Sequence, residues 1–227
     1  MPTLAVDPVW EEMYAQGSHL NRYPYDCVVR FVHRHAPRDR QRADVQILEI
    51  GVGAGNNLWF AAREGFGVAG VDASPTAIAA ARTRFAADGL DASRLVVADF
   101  TRLPFPADSF DLIVNRAALP CVGYATAARA VAEVHRVSRP GARFFNQLYS
   151  DSCSVEGVAG PDGVLTEIKG ALAGFGQIAF YGRNDIARVF GPGWTMVEIA
   201  HLARTDMTAL PHSTSAAWEF VVERSAT

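Results

Sequence analysis

The run Val45-Gln46-Ile47-Leu48-Glu49-Ile50 passes directly into Gly51-Val52-Gly53-Ala54-Gly55, and this junction constrains the chain more than any other feature. A short apolar run bounded by breakers reads as a strand buried on both faces. In a chain that alternates strands with helices, that means a parallel sheet between two helical layers. Three glycines at alternate positions let the backbone turn sharply and approach a ligand without Cβ clashes. Their spacing excludes two common nucleotide loops. A dinucleotide fingerprint, G-x-G-x-x-G, would put its third glycine where Asn56 stands, and a phosphate loop needs a lysine that is absent. The turn suits a ligand without a pyrophosphate.

The rest of the chain continues the alternation. Asp7-Pro8 predicts a helix start, with Val9, Trp10, Met13 and Tyr14 as its apolar stripe and Gly17 as its end. Pro24 opens a second helix carrying Tyr25, Val28, Val29 and Val32, which Pro37 closes, and 38–44 is a polar linker. Further strands are predicted at 67–71, 95–98, 110–114, 142–149, 194–202 and 216–223. Helices are predicted up to Arg63, after Ser74-Pro75, over 126–137 and over 184–190. The expected fold is α/β, a doubly wound seven-stranded sheet, mostly parallel with an antiparallel final strand. Residues 150–182 are rich in Gly and Ser with weak periodicity, and longer than the roughly 2–6 residues of an ordinary strand–helix link. They read as a mobile cover with an apolar inner side.

Composition narrows the class. With 49% hydrophobic and 20% charged residues the chain can bury a core. A net charge of -3 argues against a nucleic-acid-binding chain, which usually needs a basic excess. The three cysteines form no C-x-x-C, and no histidine has a ligand partner at suitable spacing, so no metal is expected. No apolar stretch is long enough to span a membrane, and no signal-peptide pattern opens the sequence. The expectation is a soluble, reduced, cytoplasmic protein.

In open α/β sheets ligands bind beyond the C-terminal strand ends. Asp72 follows the second strand, where a carboxylate can accept from a ribose diol; the alternative is an N-cap role for Asp72 or Ser74. Asp99-Phe100 follows the third, offering an acceptor for an exocyclic amine and a ring for a flat base; the alternative is a loop aspartate capping a turn. Asn115-Arg116-Ala117 follows the fourth.

The segments EIGVGAG, VDAS, ADF, LPFPADSFDLIV and EVHRVSRPGA, in this order, resemble the class I S-adenosylmethionine-dependent methyltransferases. They are most similar to the small-molecule type of ubiquinone and menaquinone biosynthesis. The likeness covers about 45–149. The leader WEEMYAQGSHLNRYPYDCVVRFV also resembles leaders of methyltransferases in sugar, polysaccharide and antibiotic pathways. The resemblance implies a Rossmann-like fold and a single methyltransferase domain over 1–227. Within it, 1–44 is an N-terminal helical lid, 45–149 a cofactor-binding core, 150–182 a substrate-side insertion, and 183–227 a C-terminal helix and strands.

The resemblance also implies roles. Gly51, Gly53 and Gly55 would lie under the methionine part of S-adenosylmethionine and of its product, S-adenosylhomocysteine. Asp72 would hold the ribose, Asp99 the adenine amine, and Phe100 the base through its N–H or ring. Asn115 would lie near the sulfonium and the acceptor. Glu49, Asn56 and Ala73 belong to the same cofactor set. Pro140-Gly141-Ala142 departs mildly from the family's Pro-Gly-Gly.

Other residues keep two readings. Tyr14, with Trp10, either faces the sulfonium through cation–π contact or packs its helix. Arg22 is the candidate partner of the cofactor's carboxylate. His19 is the candidate base, or a turn histidine. Arg116, Gln147 and Tyr149 are candidate acceptor contacts. Arg30, Arg34, Arg38, Arg40 and Arg42 form a basic cluster that reads first as a solvated face and second as an anion or RNA site.

The function implied is methyl transfer to an O or N nucleophile of a small molecule, in sugar or secondary-metabolite biosynthesis, with neither nucleic acid nor membrane as partner. The alternatives are a nucleic-acid or protein methyltransferase, or a non-catalytic binding subunit. Asn115-Arg116-Ala117-Ala118 lacks the (N/D)-P-P-(Y/F) of base-amine methyltransferases. Asn56 and the fourth-strand motif disfavour a nicotinamide dehydrogenase.

Overall fold

The computed structural model describes residues 7–208 and 210–225, so the first six residues of the leader lie outside the described residues. The leader begins with α1 (Val9–Ala15), a two-turn helix with no buried residue, followed by α2 (Asp26–His35). α2 buries Cys27, Val28, Phe31 and Val32, one stripe at i, i+1, i+4 and i+5.

Strands and helices then alternate: β1 (Gln46–Ile50), α3 (Asn56–Arg63), β2 (Gly67–Asp72), α4 (Pro75–Ala87) and β3 (Leu95–Val97). β4 (Phe110–Arg116), α5 (Tyr124–Val137) and β5 (Ser138–Tyr149) follow. Ser74 caps α4 by accepting from the Ala77 N–H at 2.9 Å, with Pro75 at the first helical position. After α6 (Arg183–Phe190) the chain closes with β9 (Trp194–Asp206) and β10 (Ser213–Arg224), the intervening insertion supplying β6 to β8 as described below.

The main sheet has seven strands in the order β3-β2-β1-β4-β5-β10-β9. β10 runs antiparallel to both neighbours, β5 and β9, while the pairs among β1 to β5 are parallel. The predicted sheet, with its reversed final strand, is the observed one. The order reverses at β1, between β2 and β4, which opens a crevice beyond their C-terminal ends.

Period-two alternation splits the strand residues between two cores. On one face Leu48, Ile50, Ile113, Phe144 and Phe220 pack under Val131 and Val134 of α5 and Ile186 and Phe190 of α6. On the other, Ile47, Leu112, Val114, Phe145 and Val221 pack under Phe31, Leu58 and Phe85 from α2, α3 and α4. Among the described residues no helix is long and apolar enough to cross a membrane.

Two stretches differ from the sequence reading. Pro140-Gly141 does not end the helix before a fresh strand; β5 already begins at Ser138, and the ladder shifts register opposite Phe110 and Leu112 to absorb the pair. Residues 150–182 are not a plain loop. They hold β6 (Val158–Ala159), β7 (Val164–Thr166) and β8 (Ile178–Ala179), a small antiparallel sheet with Val164, Ile178, Ala179 and Tyr181 buried. Strands of two or three residues are too short to show a period, so only their packing reveals them.

Candidate functional site

A cavity of two adjoining lobes lies beyond the C-terminal ends of β1, β2 and β4, roofed by α1. The smaller, about 100 Å³, is walled by Asp72, Ala73, Phe100 and Cys121. The larger, about 300 Å³, is walled by Glu49, Asn57, Tyr25, Tyr149 and Phe175. Trp10, Tyr14, Gly51, Arg116 and Ala117 line both lobes and mark where they meet.

The floor is the glycine turn. Gly51, Gly53 and Gly55 have φ of +68°, +52° and +75°, a region that glycine alone enters without strain. Packing imposes the same choice. A Cβ at Gly51 would stand 2.3 Å from the Ala118 Cβ, and one at Gly53 2.6 Å from the Tyr14 hydroxyl. Gly55 sits against Ala81 of α4 and does not line the cavity, so its place is in shaping the turn.

Asp72 accepts from the Gly53 N–H at 2.8 Å and the Ser74 N–H at 2.9 Å, which fixes the turn to the start of α4. Burial raises its pKa against the pull of those N–H groups. Each carboxylate oxygen keeps a further lone pair for a ligand. Ser74 is the N-cap that the alternative reading allowed, and Asp72 lines the small lobe. Phe100 lines it too. Asp99 follows the bland alternative with Oδ1, which accepts from the Thr101 N–H and hydroxyl at 2.7 and 2.8 Å.

Glu49 is 1% exposed. Its Oε1 accepts from Asn57 Nδ2 at 2.7 Å and its Oε2 has no partner. Burial pushes its pKa up to about 8, opposed by the Asn57 bond. Asn56 borders the large lobe, but its amide donates to the Tyr23 carbonyl at 2.8 Å, so it ties down the leader. Asn57, which the sequence reading missed, does the same through the Tyr25 N–H at 3.0 Å. Its signal was its place in the first turn of α3, directly after the glycines.

Besides Gly55 and Asp99, which line neither lobe, three more expected residues lie elsewhere. Asn115 is fully buried in the sheet, donating to Asn146 Oδ1 at 3.1 Å and accepting from the Ala118 and Leu119 N–H groups at 3.0 Å. Its amide is engaged by the fold, and its successor Arg116 enters the cavity instead. Gln147 donates to Glu219 at 2.7 Å across the β5–β10 pair and does not reach the cavity. Arg22 is exposed, with its guanidinium 5.6 Å from the Tyr23 ring centroid and its carbonyl accepting from Arg84, and it touches neither lobe.

The remaining candidates are in place. Tyr14 covers Gly53, and burial raises its pKa. Tyr149 lines the large lobe, where burial pushes it up to about 12. His19 is exposed at φ +60° and meets Trp10 and Phe175 edge-on, with ring centroids 5.7 and 5.2 Å away. Ala117, between Arg116 and Ala118, is held at φ +59°, a conformation costly for a residue with a Cβ.

Glu11 of α1 carries a contact that no sequence pattern signals. Its carboxylate takes hydrogen bonds from the Ser74 and Thr76 hydroxyls at the start of α4, which lower its pKa. The basic cluster follows its bland reading. Arg30, Arg34, Arg40 and Arg42 pair with Glu219, Glu198, Asp111 and Glu64 at 2.7–3.1 Å.

Among the described residues, five buried side-chain atoms lack a hydrogen-bond partner, and three of them, Trp10 Nε1, Glu49 Oε2 and Arg116 Nε, belong to residues lining this cavity. Buried polar groups are rarely left unpaired, so their concentration here points to a ligand that completes them.

A family model described as a methyltransferase domain matches residues 47–141. No curated protein matches the sequence. Solved structures share the fold. A S-adenosylmethionine-dependent methyltransferase from Methanosarcina mazei superposes with a TM-score of 0.71 at 19% identity, covering 90% of this chain and 100% of that one. A structure reported for the conversion of a disulfide bond into a thioacetal group during echinomycin biosynthesis gives 0.70 at 20%, covering 96% and 91%. The Burkholderia thailandensis 1,6-didemethyltoxoflavin-N1-methyltransferase, with bound 1,6-didemethyltoxoflavin and S-adenosylhomocysteine, gives 0.67 at 15%, covering 96% and 88%. At such identities the likeness speaks to the fold.

Proposed function

We propose that this chain, which belongs to the class I S-adenosylmethionine-dependent methyltransferases, transfers the methyl group to an oxygen or nitrogen of a small molecule. The residues present fit the cofactor. The glycine turn leaves a cradle that side chains would fill, Asp72 keeps lone pairs for two ribose hydroxyls, and Phe100 offers a face for the base. Glu49 Oε2, buried and unpartnered, suits the ammonium of the methionine end. When bound, the cofactor supplies a methyl group already activated by its positively charged sulfur.

The protein's own work is positional. Holding a nucleophile in line with the methyl–sulfur bond is worth up to roughly 7–11 kcal/mol without any covalent role for the enzyme. We assign α1 and α2 as a lid and the 150–182 segment as the cover on the acceptor side. Trp10 of α1 and Phe175 of the insertion meet with ring centroids 5.4 Å apart, bridging the two. Such closure excludes water and completes a site in many enzymes.

One observation carries the small-molecule reading: the large lobe lies between the leader and the insertion, with Trp10, His19, Tyr25, Tyr149 and Phe175 around it. A folded RNA or protein surface would not enter. The test is size selectivity. Purified protein with labelled cofactor should methylate metabolite-sized alcohols, phenols or amines and leave bulk RNA, DNA and protein unlabelled. Efficient labelling of a macromolecule, with no small acceptor among lysate metabolites, overturns the proposal.

A further inference from the structure

Arg116 stands apart from the other charged groups of the site. It lines both lobes, so it sits at their junction, where the cofactor's reacting end would face the acceptor. Among the described residues no carboxylate pairs with it, whereas Arg30, Arg34, Arg40, Arg42 and Arg139 each pair with one. Its Nε–H is buried without an acceptor, and so is the Trp10 indole N–H across the same junction.

The guanidinium is also held still. It lies 3.9 Å from the centroid of the Tyr25 ring, a cation–π contact. Tyr25 is fixed in turn, its hydroxyl accepting from Asn21 at 2.7 Å and its N–H donating to Asn57 at 3.0 Å. A fixed cation and an unpartnered indole N–H, both donors, ask for a ligand with lone pairs and negative charge. The walls around them are aromatic: Trp10, Tyr14, Tyr149 and Phe175.

Glu49 and Asp72, the carboxylates of the cavity, are assigned to the cofactor, and no obvious base remains for the acceptor. Tyr14 and Tyr149 have raised pKa values and stay neutral phenols near pH 7. His19 is exposed and meets Trp10 and Phe175 edge-on. A hydroxyl acceptor here has to lose its proton another way.

We infer that the acceptor is a planar ring bearing an acidic hydroxyl, which binds as its anion with the oxygen on the Arg116 guanidinium. This rests on the small-molecule methyl-transfer reading and narrows it. The hydroxyl proton leaves to solvent on binding. The oxygen's electron pair then forms the O–C bond as the C–S bond breaks, its pair staying on sulfur, so a negative oxygen and a positive sulfur both end neutral. A neutral ether no longer pairs with Arg116, which favours its release. Arg116 thus sets specificity for an ionised acceptor and substitutes for a base by lowering the hydroxyl's pKa toward ambient pH.

The test uses full-length protein saturated with S-adenosylhomocysteine, titrated with a panel of nitrophenols and the matching neutral nitroanilines. At a pH one unit below each phenol's solution pKa, bound nitrophenol should show the phenolate absorbance band, and nitrophenols should bind at least tenfold tighter than nitroanilines. Arg116→Gln should lose both the band and the preference with less than a twofold change in S-adenosylhomocysteine affinity. Arg116→Lys, which keeps the charge, should retain part of both, which a purely structural role would not produce. Phenols bound in the neutral form, no preference over anilines, or no binding by any member of the panel overturns the inference. A parallel loss of S-adenosylhomocysteine affinity in Arg116→Gln overturns it too, because Arg116 would then serve the cofactor's carboxylate. None of these outcomes bears on whether macromolecules are labelled, so this inference and the reading it rests on fail separately.

Discussion

Burial pushes the Glu49 carboxyl up to about 8, so in the folded, ligand-free protein it keeps its proton well above the ordinary value of 4.5. In the unfolded chain the same group ionises near that ordinary value. Between the two, the folded state binds more protons, and stability falls as pH rises. Glu49→Gln removes this slope. Thermal or urea melts of the two proteins should nearly coincide at pH 5 and separate by pH 8, the variant being more stable by on the order of 2–4 kcal/mol. A constant gap across that range would show that Glu49 is already ionised in the fold. The same variant should bind S-adenosylhomocysteine more weakly, since an amide offers an ammonium no charge. Stability lost in the empty site and affinity gained in the filled one are two sides of one buried carboxyl.

At the scale of elements, the leader is the part whose order depends on its contacts. α1 has seven residues, too few for a helix to persist alone in water. Three things hold it: Glu11 on the hydroxyls at the start of α4, Tyr14 on Gly53, and Trp10 against Phe175. The chain after it is pinned by Asn56 and Arg84 through the Asn21, Arg22 and Tyr23 carbonyls. Loss of a hydrogen-bonded contact at a helix N-terminus costs about 1 kcal/mol, roughly a fivefold change in a rate if it falls on opening. Glu11→Ala should therefore release S-adenosylhomocysteine about fivefold faster, followed by Trp10 fluorescence in a stopped-flow experiment. Removing residues 1–22 should leave a cooperative unfolding transition for the core and depress turnover more strongly. Full activity in the truncated protein would refute the lid.

At the scale of the whole molecule, the cavity and a network of ion pairs sit at opposite ends of the same strands. The cavity lies beyond the C-terminal ends, while Asp111, near the start of β4, organises the other. It accepts from Arg40 at 2.7 Å, from Arg139 at 2.6 Å and from the Gln46 N–H at 2.8 Å, joining the linker after α2 to β1, β4 and β5. Burial alone would raise its pKa, but the Gln46 N–H and the two guanidiniums outweigh burial and hold it below the usual carboxylate range. Such a group stabilises the fold above that range and loses its contribution as pH falls through the folded value. Asp111→Asn should cost about 2 kcal/mol near pH 7, less than the 3–5 of a fully buried pair because both arginines are about a third exposed. The difference in melting should shrink in acid below pH 4, and activity per folded molecule should not change. A drop in activity of the folded variant would mean that the two ends are coupled.

The sequence by itself determined the strands and helices of the main sheet, the glycine turn and the strand ends beyond which the cavity lies. Each of these depends on short-range signals, a period, a breaker or a cap, that survive without knowing any distant partner. The reversed final strand followed from two consecutive strand patterns with no helix between them. Tertiary structure decided the rest. The Asn115 amide is drawn to Asn146 on the next strand, leaving its neighbour Arg116 to enter the cavity. Gln147 is drawn away by Glu219, a carboxylate far along the chain. Asn56 holds the leader, Glu11 meets α4, and the two- and three-residue strands of the insertion exist only because their side chains are covered. In each case a local pattern could say that a polar side chain stood near a strand end. Which partner satisfied it, and so whether it was left for a ligand, depended on groups that only the packed fold brings together.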